Sequence, residues 1–224
     1  MGVYILNIET STKACSVALH KNGELIVCRE DVTANFSHSE KLLKFISKLF
    51  SDAKLSLSDL DAIAVSMGPG SYTGLRIGVS TAKGLCYGLD IPLISISTLK
   101  AMSFGMALEI KADLYCPMID ARRMEVYSAF FDINNTEVRK IQADIIDENS
   151  YKKELEKKVV FFGDGSEKLI EKIKDKNAIF VSDIHPSAKN MGLLSYQKFT
   201  KSLFEDLAYF EPFYLKDFVA GRKS

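Results

Sequence analysis

The sequence predicts an α/β protein built as two successive lobes, and three observations carry that prediction. Each half opens with short apolar strands joined by tight turns, and each then alternates helical and strand-like segments. Of the 224 residues, 47% are hydrophobic, enough to fill the cores that two lobes need.

The first half begins with VYILNIE from Val3, turns at TSTK, continues as ACSVALH, turns again at Lys21–Gly23 and runs on as ELIVCRE. Ser37 and Glu40 form a capping box ahead of a helix in which Leu42, Ile46, Leu49 and Ala53 recur at helical spacing. A strand at Asp61–Met67 follows, and GPGSYTGLR (Gly68–Arg76) turns the chain into a second helix that reaches Leu89; Pro92–Ser97 is a further strand. The second half repeats this grammar. LYCPMID and EVYSAFFD flank a turn at Ala121–Arg123, and a third strand is expected at Glu137–Ile141. Beyond it come a charged helix at Glu148–Lys157, the strand VVFFG, a helix at Ser166–Lys174, the strand AIFV and a helix opened by Pro186. Three strands followed by alternating helices and strands is the order of the ribonuclease H-like unit, and its double use is the actin, sugar-kinase and Hsp70 architecture. The expected lobes span residues 1–103 and 104–224, with the last helix free to pack back on the first lobe.

Charge narrows the function classes. Twenty-nine Lys and Arg balance twenty-nine Asp and Glu, and a protein that grips nucleic acid unaided usually carries a positive surplus. Neutrality therefore argues against autonomous tRNA or DNA binding and leaves room for a role inside a larger assembly. KKELEKK reads as a solvated helix face, since Glu154 and Glu156 interrupt its lysines. The start, MGVYILNIET, reads as a first strand and not as a signal peptide, and Leu6 stands where a myristoylation pattern wants Ser or Thr. The longest uncharged stretch, Ala62–Leu75, is broken by Gly68, Pro69 and Gly70 and is too short to cross a bilayer. Cys15, Cys28, Cys86 and Cys116 are scattered and form no CxxC pair, which predicts reduced core thiols and a cytoplasmic protein with no membrane contact.

GPGSYTGLR holds the most information. Its three glycines surround small hydroxyl residues directly between a strand and a helix, which suits either an anion at the helix start or a tight structural turn. It is not a P-loop, because Gly74 is followed by Leu75 and Arg76 instead of Lys; nor is it a nucleophile elbow, because Ser71 directly follows Gly70. The helix after it carries two nonpolar stripes. Leu75, Val79, Ala82, Cys86 and Leu89 form a core face, and Gly74, Gly78, Thr81, Leu85 and Gly88 form a second stripe beside it. Each glycine there lowers helix propensity by about 1 kcal/mol relative to Ala, a cost that close approach of another helix would offset.

With NIETSTKACSVAL, GPGSYTGLRIG, PLISISTL, IDARRMEVYSAFF and EPFYLK occurring in that order, the chain resembles the bacterial TsaB (YeaZ) family of tRNA threonylcarbamoyladenosine biosynthesis proteins. The resemblance covers almost the whole length. It implies a two-lobed actin-like fold and a non-catalytic paralogue that binds and activates the catalytic subunit TsaD. With the ATPase TsaE, that assembly transfers a threonylcarbamoyl group to the adenosine beside the anticodon. The catalytic relative holds a metal with a HxxxH pair; the corresponding positions here are Thr98 and Met102, which do not ligate a hard metal. The partner interface is expected to use His38, Leu42 and Ile46 of the first helix and Ser71, Tyr72, Thr73, Gly74, Gly78, Thr81, Leu85 and Gly88 of the second. The same stripes could join two copies as a homodimer. Glu9, Thr10, Ser11 and Thr12 resemble the phosphate-facing hairpin of actin-like ATPases, and Asp120 stands where the second lobe would offer its matching turn. Those residues read either as strand ends that cap turns or as a degenerate nucleotide site, so no cofactor is expected to drive chemistry, although residual ATP or ADP binding stays open. Two stand-alone enzymes compete with this reading. A metal-dependent nuclease could take Glu9 as its first carboxylate, but DAIAVSM ends in Ser66 and Met67 with no acid. A Ser71 peptidase would need His38 or His185 as its base, at no supporting spacing.

Overall fold

The computed structural model describes residues 2–32 and 38–216, without the side chain of His38. Two five-stranded mixed sheets organise the chain, and they share one topology. The first holds β1 (Tyr4–Glu9), β2 (Cys15–Lys21), β3 (Glu24–Asp31), β4 (Ala62–Gly68) and β5 (Leu93–Ser97), in the order β3-β2-β1-β4-β5. The second holds β6 (Leu114–Asp120), β7 (Glu125–Phe131), β8 (Glu137–Ile145), β9 (Val159–Phe162) and β10 (Ala178–Val181), in the order β10-β9-β6-β7-β8. Read from its other edge, the second order is the first repeated. In each lobe an antiparallel meander of three strands is extended by two parallel ones.

Alternation along the strands decides which core each residue joins. Leu6, Ile8, Val17, Leu19, Ile63 and Val65 point to one face of the first sheet, under α1 (His38–Ala53) and α2 (Tyr72–Leu89). Ile5, Ala18, Ala62, Ala64, Ile94 and Ile96 point to the other, where they meet Ala101 of α3 (Thr98–Glu109) and Leu194, Tyr196 and Phe199 of the last helix. A one-residue slip of β1 would exchange the two sets. α3 is shared between lobes: it also gives Leu99, Met102 and Met106 to the core of the second sheet. The expected boundary at residue 103 therefore falls inside a helix that both cores use.

Three expected helices differ from what the chain forms. Glu148–Lys157 is a run of turns with one 3-10 turn at Glu154–Glu156, because Tyr151 adopts φ 62° and turns inward with Leu155. Their spacing of four imitated a helix face. Ser166–Lys174 contributes only α4 (Glu167–Ile170), since Leu169 and Ile173 alone anchor that stretch. After Pro186 the chain makes a 3-10 turn at Ala188–Met191, capped by Ser187, before α5 (Gly192–Thr200) begins. Ser37 of the expected capping box lies outside the described residues. No helix among the described residues is long and apolar enough to cross a membrane. The four cysteines are free, and burial pushes the thiols of Cys15 and Cys86 up to about 11 and about 12, where they stay protonated and unreactive.

Candidate functional site

The loop between β4 and α2 is clamped onto the turn that follows β1. Ser71 N donates to Ser11 O at 2.6 Å, and a Cβ on Gly70 would overlap that same Ser11 backbone. Gly68, at φ 109°, occupies the left-handed region, and a Cβ there would come within 2.8 Å of Phe213 O. Ser71 then caps α2 by accepting from Gly74 N at 3.3 Å, and Leu75 N closes the first turn on Ser71 O at 2.9 Å. One turn into the helix, Thr10 Oγ1 donates to Gly74 O at 2.8 Å, and a Cβ on Gly78 would overlap Thr10 Oγ1. The glycines of this loop thus serve close approach within the chain.

Glu9, Thr10, Ser11 and Thr12 are all buried beneath that loop. Glu9 Oε1 accepts from Ser11 N at 2.6 Å and from Ser66 Oγ at 2.9 Å; burial holds its carboxyl above the usual range, and Oε2 has no partner among the described residues. Thr10 N is taken by Ser66 Oγ, and Ala14 N by Thr12 Oγ1. With these amides used internally and Gly70 seated on the turn, the hairpin does not fit a phosphate cradle. Nor is Glu9 set out as an acid for a nuclease centre.

The second lobe repeats the arrangement, and the sequence held a signal for it. Gly163-Asp164-Gly165-Ser166 directly follows β9, as Gly68-Pro69-Gly70-Ser71 begins on the last residue of β4. Gly163 also has a positive φ, 98°, and a Cβ there would overlap Met118 O. Asp120 ends β6 as Glu9 ends β1: its N–H donates to Asp164 Oδ1 at 2.9 Å, and its Oδ1 accepts from Arg122 N at 2.5 Å and from Lys168 Nζ at 2.7 Å. Burial raises the Asp164 carboxyl, with the Asp120 charge adding to it and His185 and Lys13 opposing it. Asp120 is thus a turn-capping residue tied to its own lobe.

The expected interface residues divide sharply. Leu42 and Ile46 lie in the core beneath α1, and Gly74 and Gly78 are buried against the first strand's turn, so none of the four can meet a partner. Their helical spacing marked an inward face. Ser71, Thr73 and Gly88 are exposed, while Tyr72, Thr81 and Leu85 are half-buried. Among the described residues, nothing beyond the helix's own backbone lies within 4 Å of a Cβ placed on Gly84 or Gly88. Together with Ser80, Gly84 and the 84% exposed Tyr87, three residues that spacing did not single out, they make an outward band along α2. Leu43, 60% exposed on α1, was likewise missed because it stands outside the apolar repeat.

The remaining candidates carry little chemistry. Thr98 and Met102 are buried at the start of α3, and Ser71 Oγ is committed to its cap. His20 is buried, with Nδ1 2.9 Å from Asn7 Nδ2 and Nε2 3.1 Å from Lys189 O, which assigns the Nε2–H tautomer. Among the described residues no three His, Cys, Asp or Glu side chains gather as a metal site.

Comparison with known proteins accords with this construction. Residues 32–223 match the model of the TsaD family, described as tRNA N6-adenosine threonylcarbamoyltransferase. The chain is 30% identical to the tRNA threonylcarbamoyladenosine biosynthesis protein TsaB of Escherichia coli, over 98% of its length and 97% of the relative's. It is 33% identical to the TsaB of Bacillus subtilis over 71% of this chain and 70% of that one. YeaZ from Pseudomonas aeruginosa superimposes with a TM-score of 0.84 at 24% identity, covering 95% of this chain and all of that one. Component A of (R)-2-hydroxyglutaryl-CoA dehydratase from Acidaminococcus fermentans shares the fold at a TM-score of 0.52 and 9% identity, over 88% and 98% of the two chains. Two sheets of one topology, the Gly-Pro-Gly-Ser turn clamped on the first strand and end-to-end similarity lead to one conclusion: the chain belongs to the TsaB family.

Proposed function

We propose that the chain serves the biosynthesis of N6-threonylcarbamoyladenosine in tRNA as a non-catalytic subunit, binding and activating a TsaD-like enzyme through the outward band of α2. The observation that carries this reading is Gly84 and Gly88: each weakens an exposed helix by about 1 kcal/mol, and no neighbour among the described residues requires either. A helix packed from outside supplies the missing reason. A TsaE-like ATPase and tRNA join through the complex, in the cytoplasm, and two copies can pair through the same band when the enzyme is absent. The internal hydrogen bonds of Glu9 Oε1, Thr10 Oγ1 and Ser71 Oγ support a chain without chemistry of its own.

The test is Gly84→Arg or Gly88→Arg, with Gly78→Arg unsuitable because Gly78 is buried. Either variant should keep the wild-type circular dichroism and melting temperature, lose co-purification with the TsaD-like subunit, and lower threonylcarbamoyladenosine in total tRNA measured by mass spectrometry. Retained binding and modification in both variants would falsify the assignment of this face.

A further inference from the structure

Residues 205–216 form no helix, and their one strand-like contact is an isolated bridge, yet they touch both lobes. Glu205 opens the segment in an antiparallel bridge with Leu93 of β5, its N–H donating to Leu93 O at 2.9 Å and its carboxylate accepting from Ser95 Oγ. Lys83 of α2 donates to Ala208 O at 3.0 Å and Phe210 O at 3.2 Å. Phe213 N donates to Met67 O at 2.7 Å, and Phe213 O lies 2.8 Å from where a Cβ on Gly68 would stand. The Tyr214 ring packs 4.9 Å from that of Tyr72, and its hydroxyl accepts from Arg76 Nε at 3.3 Å, while the Arg76 guanidinium lies 4.2 Å over Tyr72. Finally Lys216 Nζ pairs with Glu125, the first residue of β7. The Glu125 carbonyl accepts from Lys168 Nζ at 2.9 Å, which also holds Asp120, so this last contact joins the charge cluster at the β6–β7 turn.

The two ends of the strap are unequal. On the first lobe it is held by a backbone bridge to β5, a backbone hydrogen bond to Met67 beside the Gly68–Ser71 turn, and a doubly donating lysine and a ring contact on α2. On the second it is held by an ion pair whose side chains are 43% and 21% exposed, a contact that water and salt screen. We propose that residues 205–216 are an interlobe tie with a releasable latch at Lys216–Glu125. Closing it holds the launch of α2 in a fixed relation to the β6–β7 turn. Opening it loosens both ends together. As a tie it concerns the chain alone; its effect on partner binding rests on the function proposed above.

Hydrogen exchange on the full chain, read by mass spectrometry, tests this with Lys216→Glu, Glu125→Lys and the pair combined. Each single reversal should raise exchange by roughly threefold or more both in residues 119–126 and in residues 68–77, and the charge swap should return both segments to wild-type protection. Tyr214→Ala should raise exchange in residues 119–126 although it leaves the ion pair chemically intact. In the unaltered protein, salt raised from about 0.05 M to about 1 M should loosen the two segments in parallel. Unchanged exchange in the single variants, no recovery in the swap, or a response confined to residues 119–126 overturns the tie. Affinity for the TsaD-like subunit, measured on the same variants, separates the two readings: if α2 exchange responds and affinity stays constant, the tie stands and its effect on partner binding falls.

Discussion

The two lobes thread their sheets identically and cover them differently. One face of the first sheet lies under α1 and α2, helices of 16 and 18 residues with a buried stripe and a long outer surface. The corresponding core of the second lies under turns at residues 146–157 and the four residues of α4. Sparse cover is offset by bulk: Phe130, Tyr151, Phe161 and Phe180 interlock with ring centroids between 5.2 and 6.2 Å apart, while the matching face of the first lobe is mostly aliphatic. Polar bonding adds to it. Asp144 accepts from Ser128, Arg139 and Tyr151, and the Arg139 guanidinium lies 5.4 Å from the rings of Phe130 and Tyr151. One topology thus has two solutions: a lobe that spends residues on helices has outer faces to offer, and a lobe that spends them on aromatic packing has few.

The comparison can be broken at its core. Phe161→Ala should lose about 3–5 kcal/mol in urea unfolding, against about 2–5 kcal/mol for Leu42→Ala under α1. A clearly smaller loss for Phe161 would show that the aromatic cluster does not substitute for a helix. Next comes Gly78→Ala, whose methyl must displace Thr10 Oγ1; a loss of about 1–3 kcal/mol is expected although Ala is the better helix former. Tyr151→Phe removes one donor from Asp144 and should cost about 1–2 kcal/mol, sharpening how much of the second lobe's cover is polar. Gly88→Ala should stabilise the isolated chain by about 0.5–1 kcal/mol, since open space surrounds it, and a melting temperature that fell instead would mean the outer face is already occupied.

The smallest effect is one of pH, confined to the first lobe. His20 is held neutral by burial, so its folded pKa is depressed and the unfolded chain binds its proton more readily. Its contribution to stability is complete above the unfolded value of about 6.5 and is lost as pH falls from there towards the folded pKa. Urea midpoints recorded from about pH 8 to about pH 5, roughly 1.5 units either side of that value, should decline at the acid end, and His20→Gln should flatten the decline. An unchanged slope in the variant would remove His20 as the cause.

How far the sequence could be read depended on what each pattern had to distinguish. The strands declared themselves because apolar runs of four to eight residues between Gly, Asn and Asp turns have few other uses. Leu42, Ile46 and Leu49 and, on α2, Val79, Ala82 and Cys86 marked buried faces correctly as faces. Tyr151 and Leu155 deceived, because spacing four imitates a helix wherever a left-handed residue turns the chain inward. The repeat of Gly-Pro-Gly-Ser as Gly-Asp-Gly-Ser stood in plain view, yet only the matched positions after β4 and β9 gave it meaning.

By itself, then, the sequence determined the α/β class, the repeated strand order, the family and the importance of Gly68–Arg76. Those follow from local periodicity and from turn chemistry that needs particular residues. Tertiary structure alone decided which way each glycine of α2 faces. Gly78 is small because Thr10 lies against it, whereas Gly84 and Gly88 look outward, and spacing along a helix cannot tell these apart. The same holds for residues 205–216, whose role depends on bringing Phe213 to Met67 and Lys216 to Glu125 across sequence separations that no local pattern records.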